Sequence, residues 1–275
     1  MQQFIQHQNH QIAVYQQGRG TPVVLLHGWP TNALLWQAQV ALLQAHFRVI
    51  TFDWLGFGYS DKPKDYGYTF TNQKEVLNTI IQTLLGPEES VILVGHDIGG
   101  PPAILWSQER PNRVQQLVLL NTVLYTFSMP LDRISHTVFK IPLLKQLLGS
   151  SFGLRQIMQS VTRSRSKVIQ QQIRDIIQQH QNLPPSLAIK LILAPIAHGK
   201  QDELLSLASI YKSLDISKHL IIAQKDPLCT KHIQQLQTEN PNVGVDYLPH
   251  CGHYVPVEAA EEVGEILLRV ISCYS

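Results

Sequence analysis

The sequence predicts an α/β fold: a mostly parallel sheet flanked by helices, with a helical cap inserted into it. Six short runs rich in Val, Ile and Leu carry the prediction: PVVLLHG, FRVITFD, SVILVG, VQQLVLLN, KHLIIAQKD and NVGVDYL, each ending on a polar or turn residue. Helical patterns separate most of them, as expected of strands buried on both faces of a parallel sheet. From residue 125 to residue 213 the alternation stops and every pattern is helical. The expected division is a core of residues 1–124 and 214–275, with a cap at 125–213. Such a cap would cover the carboxyl edge of the sheet, where open α/β folds bind ligands.

Taken in order, FIQHQNHQIAVYQ is expected to open the chain as a β-hairpin turning at Gln8-Asn9-His10. PVVLLHG and FRVITFD follow as strands, and DWLGFGYSDKP, with Asp53 and Asp61, as a structured loop at the sheet edge. TNQKEVLNTIIQTLLG has the spacing of a capped helix, with Asn72 and Glu75 as a capping box. Val76, Leu77, Ile80, Ile81 and Leu84 then share one face, and Gly86 ends it. Within the cap, RISHTVFKIPLLKQLL, RQIMQSV, KVIQQQIRDIIQQH and ELLSLASIYKSL all have helical periodicity.

Composition narrows the function. A hydrophobic content of 44% over 275 residues is enough for a large packed core, so disorder is excluded. A net charge of +2 argues against nucleic acid or an anionic membrane as partner. Three cysteines, Cys229, Cys251 and Cys273, are few and odd in number, which suits a reducing compartment. The glutamine-rich N-terminus has no signal-peptide pattern, and LAIKLILAPIA is too short to span a bilayer. A cytoplasmic protein is expected.

The chemistry is carried by VILVGHDIGG, a strand running into a tight turn with Asp97 at the centre of Gly95-His96-Asp97-Ile98-Gly99. The frame is that of a nucleophile elbow, G-x-S-x-G, with a carboxylate in place of the serine. Asp97 could instead be a helix N-cap. The complete glycine frame, and Pro101 and Pro102 in the first helical turn, favour the nucleophile. His27-Gly28-Trp29-Pro30 closes an earlier strand, and in elbow hydrolases a backbone N–H from that loop joins the one after the nucleophile in an oxyanion hole. Those donors are Trp29 and Ile98. In PHCGHYVPVEAAEEV, His253 is the candidate general base, and His250 is structural. A metal on His250, Cys251 and His253 is disfavoured, because no second ligand pair has zinc-like spacing. Asp226, ending KHLIIAQKD, completes the order nucleophile, acid, histidine. Asn121, at the end of the strand before it, cannot serve as the anion. No metal or cofactor is expected.

These motifs resemble the α/β-hydrolase fold family, in the branch of epoxide hydrolases and haloalkane dehalogenases. HGWP, GHDIG, DWLGFGYSDKP and CGHYVPVEAAEEV carry the resemblance, from about Val23 to Val270. The resemblance implies that Asp97 attacks an sp³ carbon to form an alkyl ester, which a water activated by His253 hydrolyses. Haloalkane dehalogenases place a tryptophan after the nucleophile to bind halide, whereas here that residue is Ile98. An epoxide hydrolase is therefore the favoured reading, with a dehalogenase or a non-catalytic ligand-binding relative as alternatives. SLASIYKSLD resembles the segment that carries a ring-opening tyrosine, which would make Tyr211 the acid that protonates the alkoxide. Tyr125 stands at the cap's edge, and His136 is a second candidate donor. The implied partners are a small hydrophobic organic substrate and water.

Overall fold

The computed structural model describes residues 2–122, 124, 142–179, 183, 184, 187, 191, 201–228, 235 and 237–274. The opening hairpin forms as expected, with β1 (Gln2–His7) and β2 (His10–Gln17) antiparallel across a turn at Gln8. The six apolar runs become β3 (Pro22–Leu26), β4 (Arg48–Phe52), β5 (Val91–His96), β6 (Val114–Leu120), β7 (Ser217–Ala223) and β8 (Gly244–Leu248). In space the order is β1-β2-β4-β3-β5-β6-β7-β8, and every pair from β4 to β8 is parallel. All six parallel strands therefore end at one edge.

Alternation along each strand feeds two cores. Val24, Leu26, Leu93, Leu117, Leu119, Leu220 and Ile222 face α2 (Phe70–Leu85) and α3 (Gly100–Glu109). Val23, Leu25, Ile92, Val94, Val118, Leu120 and Ile221 point the other way, toward α1 (Gln37–Leu43) and the last helices. A one-residue slip would exchange the two sets, so the register is tightly specified.

One cap differs from expectation. The N-cap of α2 is Thr69, whose hydroxyl accepts the Asn72 N–H at 3.1 Å, so Asn72 and Glu75 are no capping box. Thr69 has the extended backbone a cap needs, and Asn72 already lies inside the helix. Gly86 ends α2 at φ +73°, as the sequence implies. In the loop after β4, Asp53 is buried and accepts the N–H groups of Ala33 and Tyr59, each at 2.8 Å, and the Tyr15 hydroxyl at 3.1 Å. It is a brace for that loop.

Between β6 and β7 run α4 (Pro142–Gly149), α5 (Ser151–Val161), α6 (Lys167–Gln178) and α7 (Gln201–Ser213). The end of α5 and the turn after it lie on the histidine loop: the Val161 carbonyl accepts the His253 N–H at 3.0 Å. The Glu258 carboxylate accepts the N–H groups of Arg163 and Ser164 at 2.7 and 3.0 Å. α7 lies elsewhere. Its Leu207, Ala208 and Tyr211 join the core cluster of α3, Leu117 and Leu220, so it flanks the sheet. The chain closes with α8 (Val255–Glu258) and α9 (Ala260–Ile271). No helix among the described residues is long and apolar enough to cross a membrane.

Candidate active site

Each residue of the site stands just past a strand end. Asp97 follows β5 directly and adopts φ +52°, a left-handed conformation that aspartate tolerates better than most residues but that still stores strain. The sharp bend requires glycine around it: a Cβ on Gly95 would meet the Gly100 Cα at 2.8 Å, and one on Gly99 the Leu26 carbonyl oxygen at 2.5 Å. The bend turns the carboxylate toward the edge, where it is buried at 4% exposure. Gly28 lies against it, and a Cβ there would stand 2.5 Å from the Asp97 Cβ and 2.7 Å from Oδ2.

The two oxygens of Asp97 have different surroundings. Oδ2 accepts the Trp29 N–H at 2.8 Å, and the Ile98 N–H also bonds to the carboxylate. Oδ1 lies 3.7 Å from His253 Nε2. On the far side of the imidazole, Nδ1 and Asp226 Oδ2 are 2.9 Å apart. The Asp226 carboxylate can only accept, so Nδ1 carries a proton and Nε2 is left to face Asp97. Asp226 in turn accepts the Leu228 N–H on Oδ1 at 2.8 Å. The structure thus brings Asp97, His253, Asp226 and the amides of Trp29 and Ile98 together at the sheet edge.

Electrostatics separate the groups. Burial raises the Asp97 carboxyl above the ordinary range, against the opposing pull of His253 and the two amide donors. Burial also opposes protonation of His253, but Asp226, its hydrogen bond and Asp97 outweigh it and raise the imidazole to about 9. Asp226 is pushed up by burial, yet its contacts with His253 and the Leu228 N–H hold it below the usual carboxylate range. His96 shows what burial does without a carboxylate in contact: its ring lies 5.0 Å from that of His253, and its pKa falls to about 3.

Tyr211 is not brought to this site. Its ring is buried in the cluster beside α3, and the Lys218 ammonium sits 5.0 Å from the ring centroid. Lys218 Nζ also donates to the carbonyls of Tyr211 and Leu214 at 2.9 and 2.8 Å. Lys218 is the second residue of β7, whereas Asp226 lies past that strand's other end. Five steps of strand from Lys218 to Ala223, at ~3.3 Å each, span about 16 Å. The assignment of Tyr211 as a ring-opening acid is thereby corrected. The amphipathic pattern that suggested a cap helix serves a helix packed beside the sheet. His136 and Tyr125 lie outside the described residues.

Three contributors were not singled out as functional from the sequence. The His96 ring nitrogen Nε2 lies 2.9 Å from the His253 carbonyl oxygen and donates to it. The Asn121 side chain reaches the same carbonyl, and the Tyr254 hydroxyl donates to the Trp29 carbonyl at 3.3 Å. Each links segments more than a hundred positions apart, so no local spacing announces them. Among the described residues no group of three or more His, Cys, Asp or Glu gathers as a metal site.

Residues 21–260 match the family described as alpha/beta hydrolase fold. The chain belongs to the α/β-hydrolase fold family. This α/β-hydrolase is 26% identical over 273 residues to a cis-3-alkyl-4-alkyloxetan-2-one decarboxylase of Shewanella oneidensis, covering 94% of the chain and 85% of that protein. It is 28% identical over 150 residues to haloalkane dehalogenase 2 of Mycobacterium tuberculosis, covering only 54% of the chain and 52% of the relative. Among solved structures, the epoxide hydrolase CorEH superposes with a TM-score of 0.82 at 22% identity, covering 100% of this chain and 99% of that one. An esterase from Exiguobacterium antarcticum gives 0.80 at 21% identity, covering 99% and 100%. The two solved structures share the fold, and a haloalkane dehalogenase stands among the sequence relatives.

Proposed function

We propose that this α/β-hydrolase acts through an alkyl ester on Asp97, and that its substrate is a small apolar epoxide. The observation that carries the reading is the division of labour between the carboxylate oxygens: Oδ2 held by Trp29, Oδ1 turned toward His253. Oδ1 attacks an sp³ carbon, the ring C–O bond breaks toward oxygen, and the alkoxide takes a proton from water, a balance restored when the Asp97 carboxyl regenerated at the end ionises. Oδ2 becomes the ester carbonyl, already in its hole. His253 Nε2 then takes a proton from water, and the hydroxide attacks Cγ of Asp97. The negative charge that develops on Oδ2 meets the Trp29 amide, with the Ile98 amide beside the same carboxyl, a contribution of ~10²–10³-fold for each such donor. Collapse expels the product oxygen, which receives the proton from His253. Ester formation also removes the Asp97 charge, one of the influences that keep His253 protonated, at the step where a free base is needed.

The relative aligned along 94% of the chain favours a second reading, a four-membered lactone. Attack at its sp³ ring carbon expels a carboxylate, which needs no proton, and Tyr211 stands away from the site that would supply one. The ring-opened ester would then lose CO₂, the C–C electron pair forming an alkene and expelling the Asp97 carboxylate.

A panel of epoxides, β-lactones, haloalkanes and p-nitrophenyl esters, run on the parent protein and on His253→Gln, separates these. A diol with an epoxide, and a stable adduct on Asp97 in His253→Gln, is the expected result. Alkene and CO₂ from the lactone alone would select the second reading. Turnover confined to p-nitrophenyl esters, with no adduct on Asp97, would overturn both.

A further inference from the structure

The chain leaves β6 at Asn121, a residue the triad does not use, in a backbone conformation of φ +40°. Its side chain is 1% exposed and is spent on two separate segments. Oδ1 accepts the N–H of Ala223, the last residue of β7, at 2.9 Å. Nδ2 donates to the His253 carbonyl at 3.0 Å and to the Gly252 carbonyl at 3.3 Å. One side of the amide therefore holds the strand end from which Asp226 projects three residues later. The other side holds the backbone of the histidine that Asp226 must meet.

We propose that Asn121 is a positioning residue that sets the separation of Asp226 and His253, and so the orientation of the imidazole toward Asp97. Acid and base are 27 positions apart in sequence and meet only through the fold. The planar amide suits the task because it accepts on one side and donates on the other. A carboxylate of the same shape would set one acceptor oxygen against the carbonyls of His253 and Gly252, and an aliphatic side chain would take from the Ala223 N–H and the Gly252 carbonyl the partner that Asn121 gives them. Asparagine also tolerates the left-handed backbone better than most residues. His96, donating to the same carbonyl from the strand of the nucleophile, bears on His253 alone and not on β7.

The inference rests on His253 as the base of the proposed reaction, and its test separates the two claims. Asn121→Gly and Asn121→Ala both delete the bridge, but glycine accepts positive φ, so agreement between them removes backbone strain as the cause. The first readout is the His253 imidazole titration by NMR in the resting protein, which requires no substrate. Asp226, Asp97, Glu258, His96 and Tyr254 are the charged or titratable groups around that ring, and Asp226 is the one that stands on the segment the bridge ties to His253. In both variants the His253 midpoint is expected to fall by at least roughly one pH unit, a tenfold change in proton affinity. The second readout is decay of the alkyl-enzyme, expected to slow by roughly 10- to 100-fold while its formation is unchanged. A His253 midpoint in Asn121→Gly equal to the parent's would overturn the role of Asn121. A shifted midpoint without alkyl-enzyme in any variant, the parent included, would leave that role standing and sink the catalytic reading instead.

Discussion

Replacing Asp226 by asparagine changes one atom and removes two things: the negative charge beside His253 and the acceptor that fixes its tautomer. The direction of the first is visible within the site. His253 and His96 are both fully buried with rings 5.0 Å apart, yet one is raised to about 9 and the other lowered to about 3. Asp226 is the largest influence raising His253, while repulsion by His253 adds to burial in lowering His96, so Asp226→Asn should drop the His253 midpoint well below its value in the parent. The second effect is geometric. An asparagine N–H facing Nδ1 would move the imidazole proton to Nε2, where it blocks the approach of water. Loss of the acid in an analogous triad costs ~10⁴-fold, or about 5 kcal/mol of transition-state stabilisation. Alkylation needs Asp97 alone and should survive. Rapid-quench mass spectrometry should therefore show a full burst of alkyl-enzyme in Asp226→Asn, followed by decay slowed by roughly 10³–10⁴-fold. Decay at the parent rate, or a His253 midpoint still near 9, would refute the role given to Asp226.

Gly28→Ala should fold but lose at least ~10²-fold in alkylation, because its Cβ would displace the Asp97 carboxylate; circular dichroism and the burst amplitude check this. Tyr211→Phe should leave turnover unchanged and raise stability by about 1 kcal/mol, since its buried hydroxyl has no partner among the described residues; urea denaturation measures it. The His253 contribution to stability should be complete below the unfolded value of 6.5 and be lost as pH rises through about 9, because folding raises that pKa. Thermal midpoints should accordingly fall across that range in the parent and much less in Asp226→Asn.

The parallel strands were legible because burial on both faces leaves runs such as VVLL and VILV with few alternatives. Asp97 was legible for a related reason. Gly95, Gly99 and Gly100 are required by contacts too close for a Cβ, so the elbow is encoded by what it lacks. Asp226 and His253 followed from chain order at strand ends. Tyr211 was misread because SLASIYKSLD was matched to a cap segment by resemblance, and helical periodicity reports that one face is buried, not what it is buried against. The α7 pattern satisfies a cap and a sheet flank equally well. Thr69 displaced Asn72 as a cap because both residues suit that position and only the backbone path decides between them. Asn121, His96 and Tyr254 act through hydrogen bonds to backbone carbonyls of distant loops, which leave no spacing in the sequence.

The central claim is that a carboxylate oxygen of Asp97 passes into the product and is replaced from water. A single turnover in heavy-oxygen water, with enzyme in excess over epoxide, tests it most directly. The account predicts that the peptide containing Asp97 gains one heavy oxygen while the product takes its new oxygen from the protein. Heavy oxygen in the product alone, with the Asp97 peptide unlabelled, would mean that water attacks the substrate directly and would contradict it.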